Sequence, residues 1–221
     1  LNPQVQPGVD ALVLALLEKR PGDRPASGQE VYDALAHDLP ARSVLSAPFV
    51  KEAMALNPTC TVFTVGGTDG KGSACMMLEA ILQHAGYRTA CYTSPHLLHY
   101  NERVRIAGSA VDDAQLVRAF EQVEHARVQA GVALTYFEYG TLCALEVFAA
   151  ASPDALILEV GLGGRLDATN IYAPDCAIVT GVDLDHMEYL GATREAIAAE
   201  KAGIYRAGKP ALCADPAPPQ S

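Results

Sequence analysis

The residues with the clearest chemical potential lie in the run Val62-Phe63-Thr64-Val65-Gly66-Gly67-Thr68-Asp69-Gly70-Lys71-Gly72-Ser73. Apolar residues give way to a glycine turn that carries a lysine, and a segment of helical character, Ala74 to Leu82, follows. Glycines let the backbone curl until several N–H groups and a helix start point at one anion, while Lys71 adds a mobile positive charge. The chemistry is phosphate binding, with Gly67, Thr68, Asp69, Gly70, Lys71, Gly72 and Ser73 as candidate contacts. The strict Walker spacing is not met. Val65 stands at the first glycine position, and Gly72 separates Lys71 from the Ser73 hydroxyl. An ordinary glycine-rich strand-to-helix turn is the competing reading.

Other polar clusters follow other apolar runs. Thr93-Ser94-Pro95-His96 is one, Glu159 with the Gly161 to Asn170 loop is a second, and Asp183-Leu184-Asp185-His186 is a third. In open parallel sheets ligands bind beyond the carboxyl ends of the strands, where all of these residues would sit. A carboxylate, an imidazole and hydroxyl oxygens beside a phosphate loop form a donor set for Mg²⁺, a hard cation that shares its coordination with nucleotide phosphates. Taken singly, each has a plainer role: a strand-end glutamate as a solvated charge or cap partner, an Asp-His pair as a surface hydrogen bond.

The elements that must hold these residues alternate. Apolar spacing predicts a helix over 8–20, ended by Pro21-Gly22, a short helix around Val31 to Leu35, and another within 48–56. Strands are expected at 62–65 and 87–93, with 103–106 as a short exposed strand turned by Gly108. Asp112-Asp113 caps a helix running to about Ala130, and a second helix covers 137–151. Residues 155–160 and 176–182 read as strands buried on both faces, 194–202 as a helix, and 210–213 as a last strand. The pattern is α/β, a mostly parallel sheet flanked by helices. It divides into a helical entry arm over 1–57, packed on the main domain, and a main domain over 58–221 that carries the glycine loop and, by the resemblance given below, is an ATP-binding domain. The Pro-rich end from Asp215 to Ser221 reads as a linker or cut point, and Leu1 as a trimmed start.

With 221 residues, half of them hydrophobic, the chain suits one large domain with a small appendage. A net charge of −10 argues against nucleic acid as a partner, so any anionic ligand must be held locally. The six cysteines show no C-x-x-C spacing and read as reduced core residues of a cytoplasmic protein. The apolar run from Ala11 to Leu17 is too short to span a bilayer, and no targeting segment or membrane association is expected.

The motifs resemble, in order, those of a known family. Gly67 to Ser73, Thr93 to Leu97 with Asn101-Glu102-Arg103-Val104-Arg105, Thr135-Tyr136-Phe137-Glu138, Leu158 to Asn170, Asp185-His186 with Leu190-Gly191, and Glu200-Lys201-Ala202-Gly203-Ile204 are similar to segments of the ATP-binding domain of folylpolyglutamate synthase and the bifunctional dihydrofolate synthase. These belong to the Mur ligase superfamily, and the likeness runs from about Val62 to Ala214. It implies an ATP-dependent ligase that activates the carboxylate of dihydropteroate or folate as an acyl phosphate and joins it to the amino group of L-glutamate. It implies ATP and Mg²⁺ as cofactors and a monomer in the cytoplasm. Position by position, Gly67 to Ser73 would bind triphosphate with Lys71 on its end, Ser94 and Glu159 would hold one Mg²⁺, and Glu159 with His186 would hold or approach a second. Lys201 matches a lysine that the family carbamylates to support that second metal. Lys71, Glu159, His186 and Lys201 are the catalytic candidates, and Thr135, Phe137, Leu166, Asp167 and Ala168 the pterin-site candidates. Phe137 as the start of a core helix and Asp167 as a loop cap remain alternatives.

Two positions depart from the family pattern. Asp69 stands where asparagine is usual, and a leucine-glycine-leucine-arginine segment expected before the loop is missing. The family's C-terminal, glutamate-binding domain lies outside this chain, so the isolated chain is expected to be inactive. Two further readings stay open: another Mur-type ligase with a non-folate carboxylate, and a nucleotide-binding protein without catalysis.

Overall fold

The computed structural model of the chain describes residues 46–220. The helices expected at 8–20 and around 31–35 fall outside these residues, as does most of the entry arm. The helix expected within 48–56 is present as α1 (Ala47–Ala53). β1 (Thr61–Gly66) runs into α2 (Lys71–His84), which begins within the glycine loop, three residues earlier than the apolar pattern suggested. β2 (Thr89–Tyr92), β3 (Val104–Ile106) and β4 (Ser109–Ala110) lead to α3 (Asp113–Ala130) and α4 (Tyr136–Ala151). β5 (Ala155–Glu159), β6 (Cys176–Val179), α5 (Met187–Leu190), α6 (Arg194–Ala202) and β7 (Ala211–Cys213) complete the order.

The strands form one seven-stranded sheet in the order β4-β3-β2-β5-β1-β6-β7. β2, β5, β1, β6 and β7 pair in parallel, and β3 and β4 add antiparallel strands at one edge. The chain leaves β1 for β2, comes back as β5 between them, and then crosses to β6 on the other side of β1. β1 is therefore the switch point of the sheet, and its C-terminal end is where a ligand crevice opens.

Alternation along the central strands serves two layers. Val65, Cys91 and Ile157 meet Cys75 of α2 on one face. On the other, Val62, Tyr92, Leu156 and Leu158 pack with Leu116, Val123, Leu142 and Phe148 of α3 and α4. All five residues of β5 are buried, as its unbroken apolar run required. β6 is shorter than expected and only alternately buried, because Gly181 and Val182 have already left the sheet to build the site. The segment from 103 also differs: Arg103 and Val104 are buried, Arg103 closing a short 3₁₀ turn (Tyr100–Arg103) before the strand starts. β7 lies at the other edge with all three residues exposed.

Caps fix where the helices begin. Asp112 accepts from Gln115 N, and Thr135 from Glu138 N, each within a reciprocal capping box. Glu138 does more: Oε2 accepts from the Thr135 N–H and hydroxyl, both at 2.9 Å, while Oε1 accepts from Ser46 N at 2.9 Å and Ala47 N at 3.1 Å. One buried carboxylate thus ties the start of α1 to the start of α4. All six cysteines are free thiols, and only Cys213 is exposed. Among the described residues, no helix is long and apolar enough to cross a membrane.

Candidate active site

The glycine loop closes on the end of β6. Gly67 has φ 145°, and a Cβ there would collide with the Thr180 hydroxyl, so only glycine fits. Thr180 Oγ1 donates to the Asp69 carbonyl at 2.6 Å, and Thr68 N donates to the Gly181 carbonyl at 2.8 Å. Thr68 Oγ1 and the Asp183 backbone exchange two further bonds, at 3.0 and 3.2 Å. Gly70, left-handed at φ 77°, is the N-cap of α2 and offers no side chain to the first helical N–H groups. Those amides and the helix dipole are left for an anion, the arrangement that phosphate requires. Thr180 was not singled out in the sequence, since a hydroxyl at the end of an apolar run carries no pattern of its own.

Two lysines converge on one oxygen. Lys71 Nζ donates to the carbonyls of Gly67 at 2.9 Å and Thr68 at 3.0 Å, and Lys201 Nζ donates to the same Gly67 carbonyl at 2.9 Å. Lys201 is only 3 % exposed. Burial and the neighbouring Lys71 charge lower its pKa to about 8, although Asp185 and Asp69 pull the other way.

Glu159 ends β5 beside β1. Its Oε2 accepts from Ser94 N at 2.9 Å, and Oε1 lies 3.7 Å from where Gly72 would carry a Cβ, so the carboxylate faces the first turn of α2. Burial raises its pKa, opposed by the Ser94 N–H and the Lys71 charge. Among the described residues no group of three or more His, Cys, Asp or Glu gathers as a metal cage. One carboxylate with a hydroxyl residue beside the glycine loop is a donor set of the oxygen type that hard divalent cations accept. Ser94 and Glu159 are brought together. His186, half-exposed at the N-cap of α5, stands 3.6 Å from its neighbour Asp185, whose charge acts on Lys201.

The five pterin-site candidates line one cavity of about 340 Å³, shared with Tyr189, Leu190 and the 162–165 loop. Phe137 forms its wall with the tip of its ring against Gly161: a Cβ on that glycine would come 2.5 to 2.8 Å from Cζ and the two Cε atoms. Tyr92 backs the ring at a centroid distance of 6.0 Å. Gly161 was quoted only as part of a glycine-rich loop, and its reason is this ring. Asp167, 6 % exposed, is fully engaged by its own loop. Oδ2 accepts from Gly161 N and Leu162 N at 3.0 and 2.9 Å, and Oδ1 from the Thr169 N–H and hydroxyl at 2.9 and 2.6 Å. The loop-cap alternative for Asp167 is thus the geometry observed: its carboxylate shapes the cavity and has no idle lone pair to accept from a ligand's amino groups.

The model of the Mur ligase middle domain matches residues 65–213. The chain belongs to the Mur ligase middle-domain family. It is 52% identical over 166 residues to the dihydrofolate synthase/folylpolyglutamate synthase of Escherichia coli K12, a match covering 75% of this chain and 39% of that protein. Its fold matches E. coli FolC in complex with DHPP and ADP at TM-score 0.79 and 45% identity, over 88% of this chain and 48% of that one. It also matches a bifunctional folylpolyglutamate synthase/dihydrofolate synthase with Mn, AMPPNP and L-glutamate bound, at TM-score 0.78 and 49% identity, over 84% and 45% of the two chains. This Mur ligase domain therefore spans less than half the length of these relatives. Its glycine loop, β5 carboxylate and cavity all fall within the matched range.

Proposed function

We propose that this Mur ligase domain serves an ATP-dependent ligase that joins the carboxylate of dihydropteroate or a folate to the amino group of L-glutamate, acting as a monomer in the cytoplasm. The observation that carries this reading is the placement of Glu159. Its buried carboxylate faces the first turn of α2, and the β5 strand that it ends leads directly into the loop that lines a cavity walled by an aromatic ring. A relative's complex with DHPP and ADP, and another with a nucleotide and L-glutamate, support the substrate classes.

The chemistry joins two anions. A carboxylate oxygen attacks the terminal phosphorus of ATP, ADP leaves, and the amino group of glutamate then displaces phosphate from the acyl phosphate. Lys71 and the α2 amides would hold the triphosphate and offset its charge, and Ser94 with Glu159 would hold Mg²⁺. That ion would supply charge neutralisation and alignment. Phe137 would stack on the flat heterocycle, which fixes the direction of the carboxylate. Glutamate-dependent ADP release with pteroates or folates, at the relatives' full length, tests this reading. Release only with a Mur-type peptide precursor would move it to a non-folate ligase. The 221 residues alone are expected to bind nucleotide without turnover.

Lys201 would work as a carbamate. Its neutral amine adds to dissolved CO₂ and releases one proton, so uptake follows the deprotonated fraction. With a pKa near 8 rather than 10.5, that fraction at pH 7 is about 10 %, several hundred times that of an ordinary lysine. A ¹³C carbamate signal from labelled bicarbonate should grow as pH rises through about 8 and be absent in Lys201→Ala. A signal unchanged by that substitution would remove the assignment. In the same enzyme, Phe137→Ala should raise KM for the heterocyclic substrate about tenfold, against less than twofold for ATP. Equal shifts in both would mean that Phe137 only packs.

A further inference from the structure

The motif Asn101-Glu102-Arg103-Val104-Arg105 has one charge with no ion pair among the described residues. Glu102 accepts from the N–H groups of Leu97, Leu98 and His99 at 2.8, 2.9 and 2.6 Å, which pins the loop after Ser94. Arg105 pairs with buried Glu79 at 2.9 Å. Arg103 is different: at 5 % exposure it forms no ion pair with any described residue. Its Nε donates to His96 Nδ1 at 2.8 Å, and its guanidinium lies over the rings of Tyr100 and Tyr136 at 5.5 and 5.6 Å. The phenol groups of Tyr92, Tyr100 and Tyr136 surround it.

A buried cation with no counter-charge among the described residues is costly, commonly several kcal/mol, unless an anion arrives. Two features say which anion. The guanidinium sits among the residues that back the cavity wall, since Tyr136 adjoins Phe137 and Tyr92 packs on it, whereas phosphate is provided for at Lys71 and the α2 amides. Its field also reaches Glu159. A planar fork of donors suits a carboxylate.

We infer that Arg103 receives the carboxylate that the ligase activates, and so selects acids over neutral analogues. The inference rests on the ligase reading above. Pteroate and pteroate carboxamide are titrated into the chain by calorimetry, with 4-aminobenzoate as a carboxylate lacking the pterin. Pteroate should bind about 10- to 100-fold tighter than its carboxamide. Arg103→Gln should bring that ratio close to one while leaving the carboxamide within twofold, and Arg103→Lys should restore part of it. An unchanged ratio, or equal loss for both ligands, would overturn the inference. Should the variants not fold, the ¹⁵N signal of the Arg103 guanidinium in the unmodified chain decides: it should move with either carboxylate and stay with the carboxamide. No movement at saturating pteroate and 4-aminobenzoate overturns it. If the signal moves but pteroate binds no better than 4-aminobenzoate, Arg103 keeps its role and the folate assignment fails.

Discussion

Replacing Glu159 by glutamine should cut turnover of the enzyme, at its relatives' full length, by about 10³-fold, or about 4 kcal/mol of transition-state stabilisation. The substitution keeps size and shape, and the new amide oxygen can still accept from Ser94 N, which Glu159 Oε2 does now at 2.9 Å. What disappears is the charge that faces the first turn of α2. At 4 % exposure water cannot replace it. The melting temperature should stay within a few degrees, because removing a buried carboxylate whose pKa burial already raises relieves as much as it loses. Turnover within tenfold of the parent enzyme at saturating Mg²⁺ would rule out a metal-holding role for this residue.

The second large effect is expected at Lys71. Lys71→Ala should weaken triphosphate binding about 100-fold or more, because a charge-assisted contact is lost from a partly desolvated anion site. In the structure Lys71 rests on the Gly67 and Thr68 carbonyls, so a nucleotide must draw it away from acceptors that it already has. That competition makes the measured loss smaller than the full strength of the contact. The variant carries an internal control. Lys71 is one cause of the low pKa of Lys201, so its removal should raise that pKa and move carbamate formation to higher pH. Calorimetric ATP affinity unchanged in Lys71→Ala would dismiss the phosphate-loop assignment.

The legible parts of this protein are those where one residue type has one physical use. The unbroken run of β5 required burial on both faces, Asp112 is a helix cap, and the glycines around Lys71 mark a turn that only a small residue can make. Arg103 was the opposite case. Beside Val104 and Arg105 it followed the alternation of an exposed strand, but the 3₁₀ turn rotates it inward among tyrosines that lie far apart in the chain. Asp167 looked like a free acceptor because its four donors come from its own loop, whose path is a tertiary fact. The convergence of Lys71 and Lys201 on one carbonyl joins positions 130 residues apart and has no local signature.

The shared carboxylate of Glu138 has a consequence for local unfolding. It holds Ser46 and Ala47 at one end and Thr135 at the other. If the entry segment peels away, Glu138 loses the N–H donors of Ser46 and Ala47, bonds to a charged group worth about 1.5–3 kcal/mol each. The first turn of α4, which presents Phe137 to the cavity, then loses part of the hydrogen-bond network that fixes it. The entry segment and the aromatic wall therefore open as one cooperative unit rather than as independent fraying ends. Slow amide exchange at Ala47 would rise and fall with that at Glu138, and a ligand clasped against Phe137 would protect both.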